Sequence, residues 1–306
     1  MPTADFVTVD VFTIERFAGN PLAVIPDARG LTDRQMQEIA AEFGYAESTF
    51  VLPPENVENS ARVRIFTPTM EIPFAGHPNV GTAFVLGRQA ELFGKPADEK
   101  LRFEETAGLV EIELLREAGE VTGATIRAPR PLEIGDDVTP ELIASCATIM
   151  PADIRTADHG PVFASVGLAF AIAELENLDA LARARPNITA FHEAAAIHKS
   201  AAGTDFPIFL YVRSAENPWA IRARMFAPLD AIMEDPATGS ASAALSAFLV
   251  TRTPDEDAQV QITIEQGVEM GRRSVIELDV VKAGGKVTDV RITGRCVPVM
   301  HGRIDA

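Results

Sequence analysis

The chain has 306 residues, about the length of two domains, and its 47% hydrophobic and 23% charged residues suffice for a full core. A formal net charge of −17 excludes the basic face that nucleic-acid binding requires. The same charge attracts no anion, so an anionic ligand must be held by local dipoles rather than by the overall field. Two cysteines, Cys146 and Cys296, form no metal or redox spacing and no disulfide framework, which points to a reducing compartment. The start, Met1 to Asp5, lacks the basic and apolar regions of a signal peptide, and no apolar run reaches membrane-spanning length. The expectation is a cytoplasmic protein with no membrane attachment.

Residues Phe6 to Phe12 alternate β-branched or aromatic with polar side chains, a strand pattern. A turn at Gly19-Asn20-Pro21 leads to a short strand from Leu22 to Pro26. Thr32 opens a helix carrying Met36, Ile39, Ala40 and Phe43 at helical spacing, and Gly44 stops it. Tyr45 to Ser48 then leads into a strand over 49–52, and another covers 61–67. Further strands are expected over 101–105, 109–115 and 124–128. Pro129, Pro131, Gly135 and Pro140 mark a domain junction, giving one domain over 1–128, which 295–306 would complete, and another over 129–294. The second half shows a strand over 162–166 and an Ala-rich helical region over 178–200, interrupted at Pro186. Strands follow over 208–212, 220–226, 260–265 and 274–281, then a closing pair over 287–293 and 295–299. Many short strands with one strong helix per half imply an α+β protein of two similar domains, not a doubly wound parallel sheet.

One phrase occurs twice. Residues 77–83 read H-P-N-V-G-T-A and residues 235–241 read D-P-A-T-G-S-A, each followed by a small apolar helix-forming stretch. Upstream, Arg64-Ile65-Phe66-Thr67-Pro68 echoes Arg224-Met225-Phe226-Ala227-Pro228. Similarity at half the chain length argues for two related halves. Proline favours the first helical position, which puts His77 and Asp235 at or near the N-caps. The free N–H groups of the first turn bind anions readily. Two such ends facing each other would grip a small carboxylate, with Gly76, Gly81, Thr82, Gly239 and Ser240 supplying donors. The plain alternative is that Asp235 only caps its helix and His77 only ends a loop.

Glu47 is the best general acid/base candidate, since it sits between a helix end and an apolar strand where burial raises a carboxyl pKa. His77 is the natural second proton carrier, and Asp235 could orient it or the substrate. Other chemistries fail: there is no G-x-S-x-G for a nucleophile elbow, no H-E-x-x-H and no phosphate-loop ending. Five scattered histidines give no metal site. His159, His192, His198 and His301 are expected to be surface or structural residues, and Trp219 and Tyr211 packing residues.

The strings 9–13 (V-D-V-F-T), 19–21 (G-N-P), 47–51 (E-S-T-F-V), 72–78 (I-P-F-A-G-H-P) and 235–241 (D-P-A-T-G-S-A), with matches at Gln266-Gly267, Gly271-Arg272 and 294–302, resemble the PhzF family over essentially the whole chain. This is the phenazine biosynthesis-like group of the diaminopimelate epimerase-like fold. The resemblance implies two similar domains, each a curved, mostly antiparallel, barrel-like sheet around a central helix, with the site in the cleft between them. It implies a cofactor-independent isomerase acting on a small carboxylate, and a homodimer; the founding member isomerises dihydro-hydroxyanthranilic acid by moving a proton and a double bond. Glu47 matches the family's catalytic glutamate, and His77, Asp235 and Ser240 its other site residues. Related racemases carry a cysteine at each helix start; His77 and Asp235 stand there, which speaks against two-thiol racemisation. Asn79 stands where a threonine is common, and Arg273 where a proline is frequent. Two other outcomes stay open at this point: an epimerase or lyase on the same site, and a binding protein that kept the fold.

Overall fold

The computed structural model describes residues 3–96, 98–198, 206–230 and 232–306. Part of the Ala-rich region, Lys199 and Ser200, and the initial Met1 and Pro2 lie outside the described residues. The chain divides into two compact units, residues 1–127 with 293–306, and residues 128–292.

In the first unit the strands are β1 (Thr3–Val11), β2 (Asn20–Ile25), β3 (Glu47–Leu52), β4 (Ala61–Phe66), β5 (Glu71–Ile72), β6 (Glu91–Leu92), β7 (Lys95–Pro96), β8 (Lys100–Glu105), β9 (Gly108–Glu117) and β10 (Glu120–Arg127). Helix α1 (Asp33–Phe43) follows β2, and α2 (Gly76–Gly87) follows β5. The second unit holds β11 (Glu133–Asp137), β12 (Val162–Ser165), β13 (Ala169–Glu174), β14 (Ile208–Arg213), β15 (Ala220–Ala227), β16 (Ile232–Asp235), β17 (Ala258–Gln266), β18 (Ser274–Ala283) and the start of β19 (Lys286–Asp305). Its helices are α3 (Pro140–Ala147), α4 (Leu178–Arg183), α5 (Ile188–Ile197) and α6 (Gly239–Thr251).

Strand pairing in the first unit runs β1–β2–β3–β4–β8–β9–β10–β19 and returns from β19 to β1, a closed eight-stranded barrel. Closure removes the unpaired edges of an open sheet. Helix α2 fills the barrel, packing on β1, β2, β3, β9 and β10. Every residue from Gly76 to Gly87 is buried, as a helix that is apolar on all sides requires. In the second unit the same order recurs as β11–β12–β13–β14–β15–β17–β18–β19, around α6. Two parallel pairings recur in each series: β2 with β3 and β4 with β8 in the first, β13 with β14 and β15 with β17 in the second.

The R-x-F echo acquires a physical meaning here. Arg64 makes a two-pronged bond to Glu71 (2.8 and 2.6 Å) and its guanidinium lies 5.1 Å from the Phe66 ring centre. Arg224 does the same with Glu234 (2.7 and 2.8 Å) and lies 4.9 Å from Phe226. A planar guanidinium suits both the forked carboxylate and the ring face. Each fork ties the strand before a central helix to the short return strand that feeds that helix.

Helix α1 starts and stops where its caps direct. Thr32 and Gln35 form a reciprocal capping box, and Gly44 closes the helix in the left-handed region at φ 63°. One expectation needs correction. The closing strand pair is one continuous 20-residue strand, β19. Gly294, between the two expected strands, does not interrupt it: a Cβ there would lie 2.6 Å from the Phe12 ring and 3.1 Å from Val80, so glycine lets β19 pass close to the core. Pro140, placed at the domain junction, begins a helix, because Thr139 accepts a hydrogen bond from the Leu142 N–H and Pro140 takes the first turn.

Candidate active site

Glu47 opens β3, opposite Leu22 of β2 in the parallel ladder. The turn before β2 depends on Gly19, at φ +66°, where a Cβ would lie 2.4 Å from the Val11 carbonyl oxygen. That turn delivers Asn20 and Pro21 to the start of β2. His77 is the second residue of α2. The three elements bring together side chains separated by up to 57 residues. The His77 Nδ1 atom lies 3.5 Å from Glu47 Oε2 and 3.4 Å from Asn20 Nδ2. Glu47 is 14% exposed and His77 is 5% exposed, so the Glu47 side chain is the more accessible of the two.

Burial pushes the His77 imidazole down to about 3 from its ordinary 6.5, against a smaller opposing pull from the Pro21 carbonyl. Glu47 and His77 therefore meet near neutral pH as a carboxyl and an uncharged imidazole, despite a separation within ion-pair range. Desolvation of a fully enclosed ring outweighs proximity to the carboxyl. Nδ1 serves two neighbours with opposite needs. With a proton it donates toward Glu47; without one it accepts from Asn20. His77 Nε2 is buried with no partner at hydrogen-bond distance.

The twice-used phrase does not start its helix at the same place in the two units. Helix α2 begins at Gly76, with Ala75 as N-cap and no side-chain cap, so His77 and Pro78 lie inside its first turn. Gly76 is thus the first residue of the helix, and its N–H belongs to the first turn. Gly81 and Thr82 lie beyond the first four residues, where N–H groups enter the helical ladder. A Cβ on Gly81 would meet Leu22 at 2.6 Å and Val11 at 2.8 Å. The Thr82 hydroxyl is 2.8 Å from that of Thr49, and both are buried. Gly81 and Thr82 therefore pack α2 against the barrel wall, which corrects the expectation that they offer donors to a ligand.

In the second unit the helix begins later. Asp235 ends β16, and α6 starts at Gly239 after Thr238. Asp235 precedes the helix by several residues and is not its N-cap. The Thr238 hydroxyl donates to Asp235 Oδ2 at 2.5 Å. Gln266, wholly buried, donates to the Asp235 carbonyl (2.7 Å) and to Thr238 Oγ1 (3.0 Å), and accepts from the Thr238 N–H (3.0 Å). Gly267, at φ +73°, fits under Pro236, whose carbonyl oxygen would be 2.7 Å from a Cβ. Gly239 and Ser240 occupy the first turn of α6, where N–H groups have no helical partner, and Ser240 is half-buried. At the far end, the buried Lys282 ammonium donates to the carbonyls of Thr251 (3.1 Å) and Thr253 (2.8 Å). A cation there complements the negative end of the helix.

Asn20, Thr238 and Gln266 escaped the sequence reasoning as individual roles. Their only signal was membership of the matching strings around 19–21, 235–241 and 266–267. The other histidines behave as structural or surface groups. His159 Nε2 is 2.6 Å from the Tyr211 hydroxyl, which neighbours Glu174, itself held by Arg213. His198 packs on Phe163 and Phe206, while His192 and His301 are exposed. Both cysteines are buried, Cys146 in α3 and Cys296 in β19, and burial raises their thiol pKa values, that of Cys146 to about 12. Among the described residues no group of three or more His, Cys, Asp or Glu could hold a metal ion, and no helix is long and apolar enough to cross a membrane.

A family model described as phenazine biosynthesis-like protein matches residues 9–302. The chain is 39% identical to an uncharacterised isomerase of Mesorhizobium japonicum, with 99% of each chain covered. It is 34% identical to trans-2,3-dihydro-3-hydroxyanthranilate isomerase of Pseudomonas aeruginosa, over 97% of this chain and 98% of the relative. Among solved structures, the Bacillus anthracis phenazine biosynthesis protein of the PhzF family superposes with a TM-score of 0.87 at 27% identity, covering 100% of both chains.

Proposed function

Because the chain belongs to the phenazine biosynthesis-like (PhzF) family and is an isomerase of the diaminopimelate epimerase-like fold, we propose that it moves a proton between two carbons of a small carboxylate substrate, with Glu47 as the proton carrier. The observation that carries this reading is the Glu47 carboxyl at the head of β3, 3.5 Å from a neutral, buried His77. Glu47 takes a proton from a carbon near the substrate carboxylate. The electron pair released moves into a shifted double bond, and Glu47, after exchange of its proton with solvent, delivers a proton to another carbon, so that substrate and product are isomers. General acid–base transfer of this kind contributes roughly 10²- to 10⁴-fold to a rate. His77 orients the carboxyl through Nδ1, and its unpartnered Nε2 supports a polar substrate group at that place.

Asp235, Gly239 and Ser240 are assigned to the same reaction, Asp235 orienting the substrate and the first turn of α6 binding its charged group. The repeated phrase and the family resemblance support these roles, as does the set of bonds by which Thr238 and Gln266 fix Asp235. Gly76 contributes a backbone donor. One proton carrier, rather than a thiol pair, fits the buried, high-pKa cysteines and favours double-bond isomerisation over two-thiol epimerisation. The same proposal has the enzyme working as a homodimer in the cytoplasm, which light scattering and cell fractionation test. For the chemistry, a panel of small carboxylates is incubated with the protein in deuterated water. It includes trans-2,3-dihydro-3-hydroxyanthranilate, the compound in the name of the Pseudomonas relative. An isomer carrying deuterium at one carbon is expected; an unlabelled isomer would mean that no solvent-exchanging carboxyl carries the proton.

A further inference from the structure

A second carboxyl in the first unit is left unexplained by this chemistry. Glu105 ends β8, and both of its carboxyl oxygens are buried with no hydrogen-bond partner. Its polar neighbour is Asn79 of α2, whose Nδ2 donates to the Ala75 carbonyl at 3.0 Å and whose Oδ1 is also buried and unpartnered. Ala75 is the N-cap of α2, and His77 lies between the two residues so joined.

Charged groups line the same region, and each has its own engagement. On β4, Arg62 bonds Glu55 and Arg64 bonds Glu71 and Asp33. On β8, Arg102 lies 3.6 Å from Glu111 of β9, and Glu104 accepts from the N–H groups of Glu55 and Asn56 and from Asn59. Glu58 lines the same cleft beside them, and His77 on α2 is neutral. No cation in this set is paired with Glu105. Burial pushes its carboxyl up to about 8, with the Asn79 side chain pulling weakly the other way.

A carboxylate presents acceptors only, so it cannot answer Asn79 Oδ1. A carboxylic acid has one donor and one acceptor, the complement of a primary amide. We propose that Glu105 is a buried neutral acid that pairs with the Asn79 amide and thereby positions the first turn of α2, and with it His77. Glu105 touches no reacting atom; it is a positioning residue. Its effect on turnover rests on the proposed function, whereas its state and its grip on His77 do not.

The test is a pH titration from 6 to 9.5 followed by NMR of histidine-labelled protein, with the His77 ring signal assigned by its absence in Glu105-intact His77→Gln. In the wild type the His77 signal shifts as Glu105 ionises, at a midpoint near 8. In Glu105→Gln, whose amide keeps a donor and an acceptor but does not titrate, the signal stays flat. Turnover of a deuterium-incorporating substrate falls above the same midpoint in the wild type and not in Glu105→Gln, while Glu105→Leu lowers kcat more than it changes KM. A His77 signal that does not shift in this range, or that shifts alike in wild type and Glu105→Gln, overturns the proposal. Should the NMR result hold with no substrate in the panel turned over, Glu105 keeps its place and the isomerisation reading falls.

Discussion

Lowering the pH should charge His77 only at the expense of the fold, and the cost follows from its burial. The imidazole is held at about 3 in the folded chain and returns to its ordinary 6.5 on unfolding. Between these values the unfolded chain binds one more proton than the folded chain, so stability rises with pH across that window. The contribution is complete above pH 6.5 and is lost as pH falls toward 3. The full difference is roughly 5 kcal/mol as a ceiling, at 1.36 kcal/mol per pH unit. From pH 6.5 to 4.5 it changes by about 2.3 kcal/mol, since the unfolded imidazole is only half protonated at the upper limit. Urea unfolding of wild type and His77→Gln at half-unit intervals measures it. Replacing the ring removes the extra proton, so the stability difference between the two proteins should change by roughly that amount over those two units. Parallel curves, or a His77 ring signal that titrates near 6.5, would refute the inference that the imidazole is neutral in the site.

Gly81→Ala should destabilise the first unit by about 1–3 kcal/mol through overpacking against Leu22 and Val11, offset by about 1 kcal/mol of helix propensity; an unchanged melting temperature with weaker substrate binding would restore Gly81 as a ligand contact. Lys282→Met should cost about 2–4 kcal/mol in urea unfolding, because two carbonyls at the end of α6 lose their donor, while KM stays near the wild-type value. Gln266→Leu removes three bonds around Asp235 and Thr238, and the loosened loop should lower kcat by up to about 10²-fold. Wild-type kcat in a folded Gln266→Leu would show that Asp235 needs no such support.

How much of this could be seen in the chain depends on whether the signal was local. The limits of α1 are local: Thr32, Gln35 and Gly44 act within one turn of each end. The two central helices announced themselves as apolar, and the R-x-F echo marked two forks that form within about ten residues. The starting residues of α2 and α6 were read alike from Pro78 and Pro236, yet α2 is entered from β5 through Ala75 and α6 from β16 through Thr238. There the incoming strand, not the proline, fixes the first turn. The two closing strands were separated at Gly294, whose need for closeness to Phe12 is not local in the sequence. Glu47 was legible as a candidate and His77 as another, but their approach depends on the β2–β3 register and on α2 filling the barrel. The depressed pKa of His77 was hidden for the same reason, since desolvation is a property of the enclosing walls. Gln266 and Glu105 gave no local sign, because each acts on a residue more than twenty positions away.

The central claim is that the Glu47 carboxyl carries the migrating proton, and the comparison of wild type with Glu47→Gln in deuterated water tests it most directly. The amide keeps the size of the side chain and removes its capacity to accept a proton. Circular dichroism confirms that the variant is folded, and mass spectrometry follows label uptake by the small-carboxylate panel. Wild type should incorporate deuterium into the isomerised product, and Glu47→Gln should slow incorporation by about 10²-fold or more. Equal uptake by the two folded proteins would contradict the account.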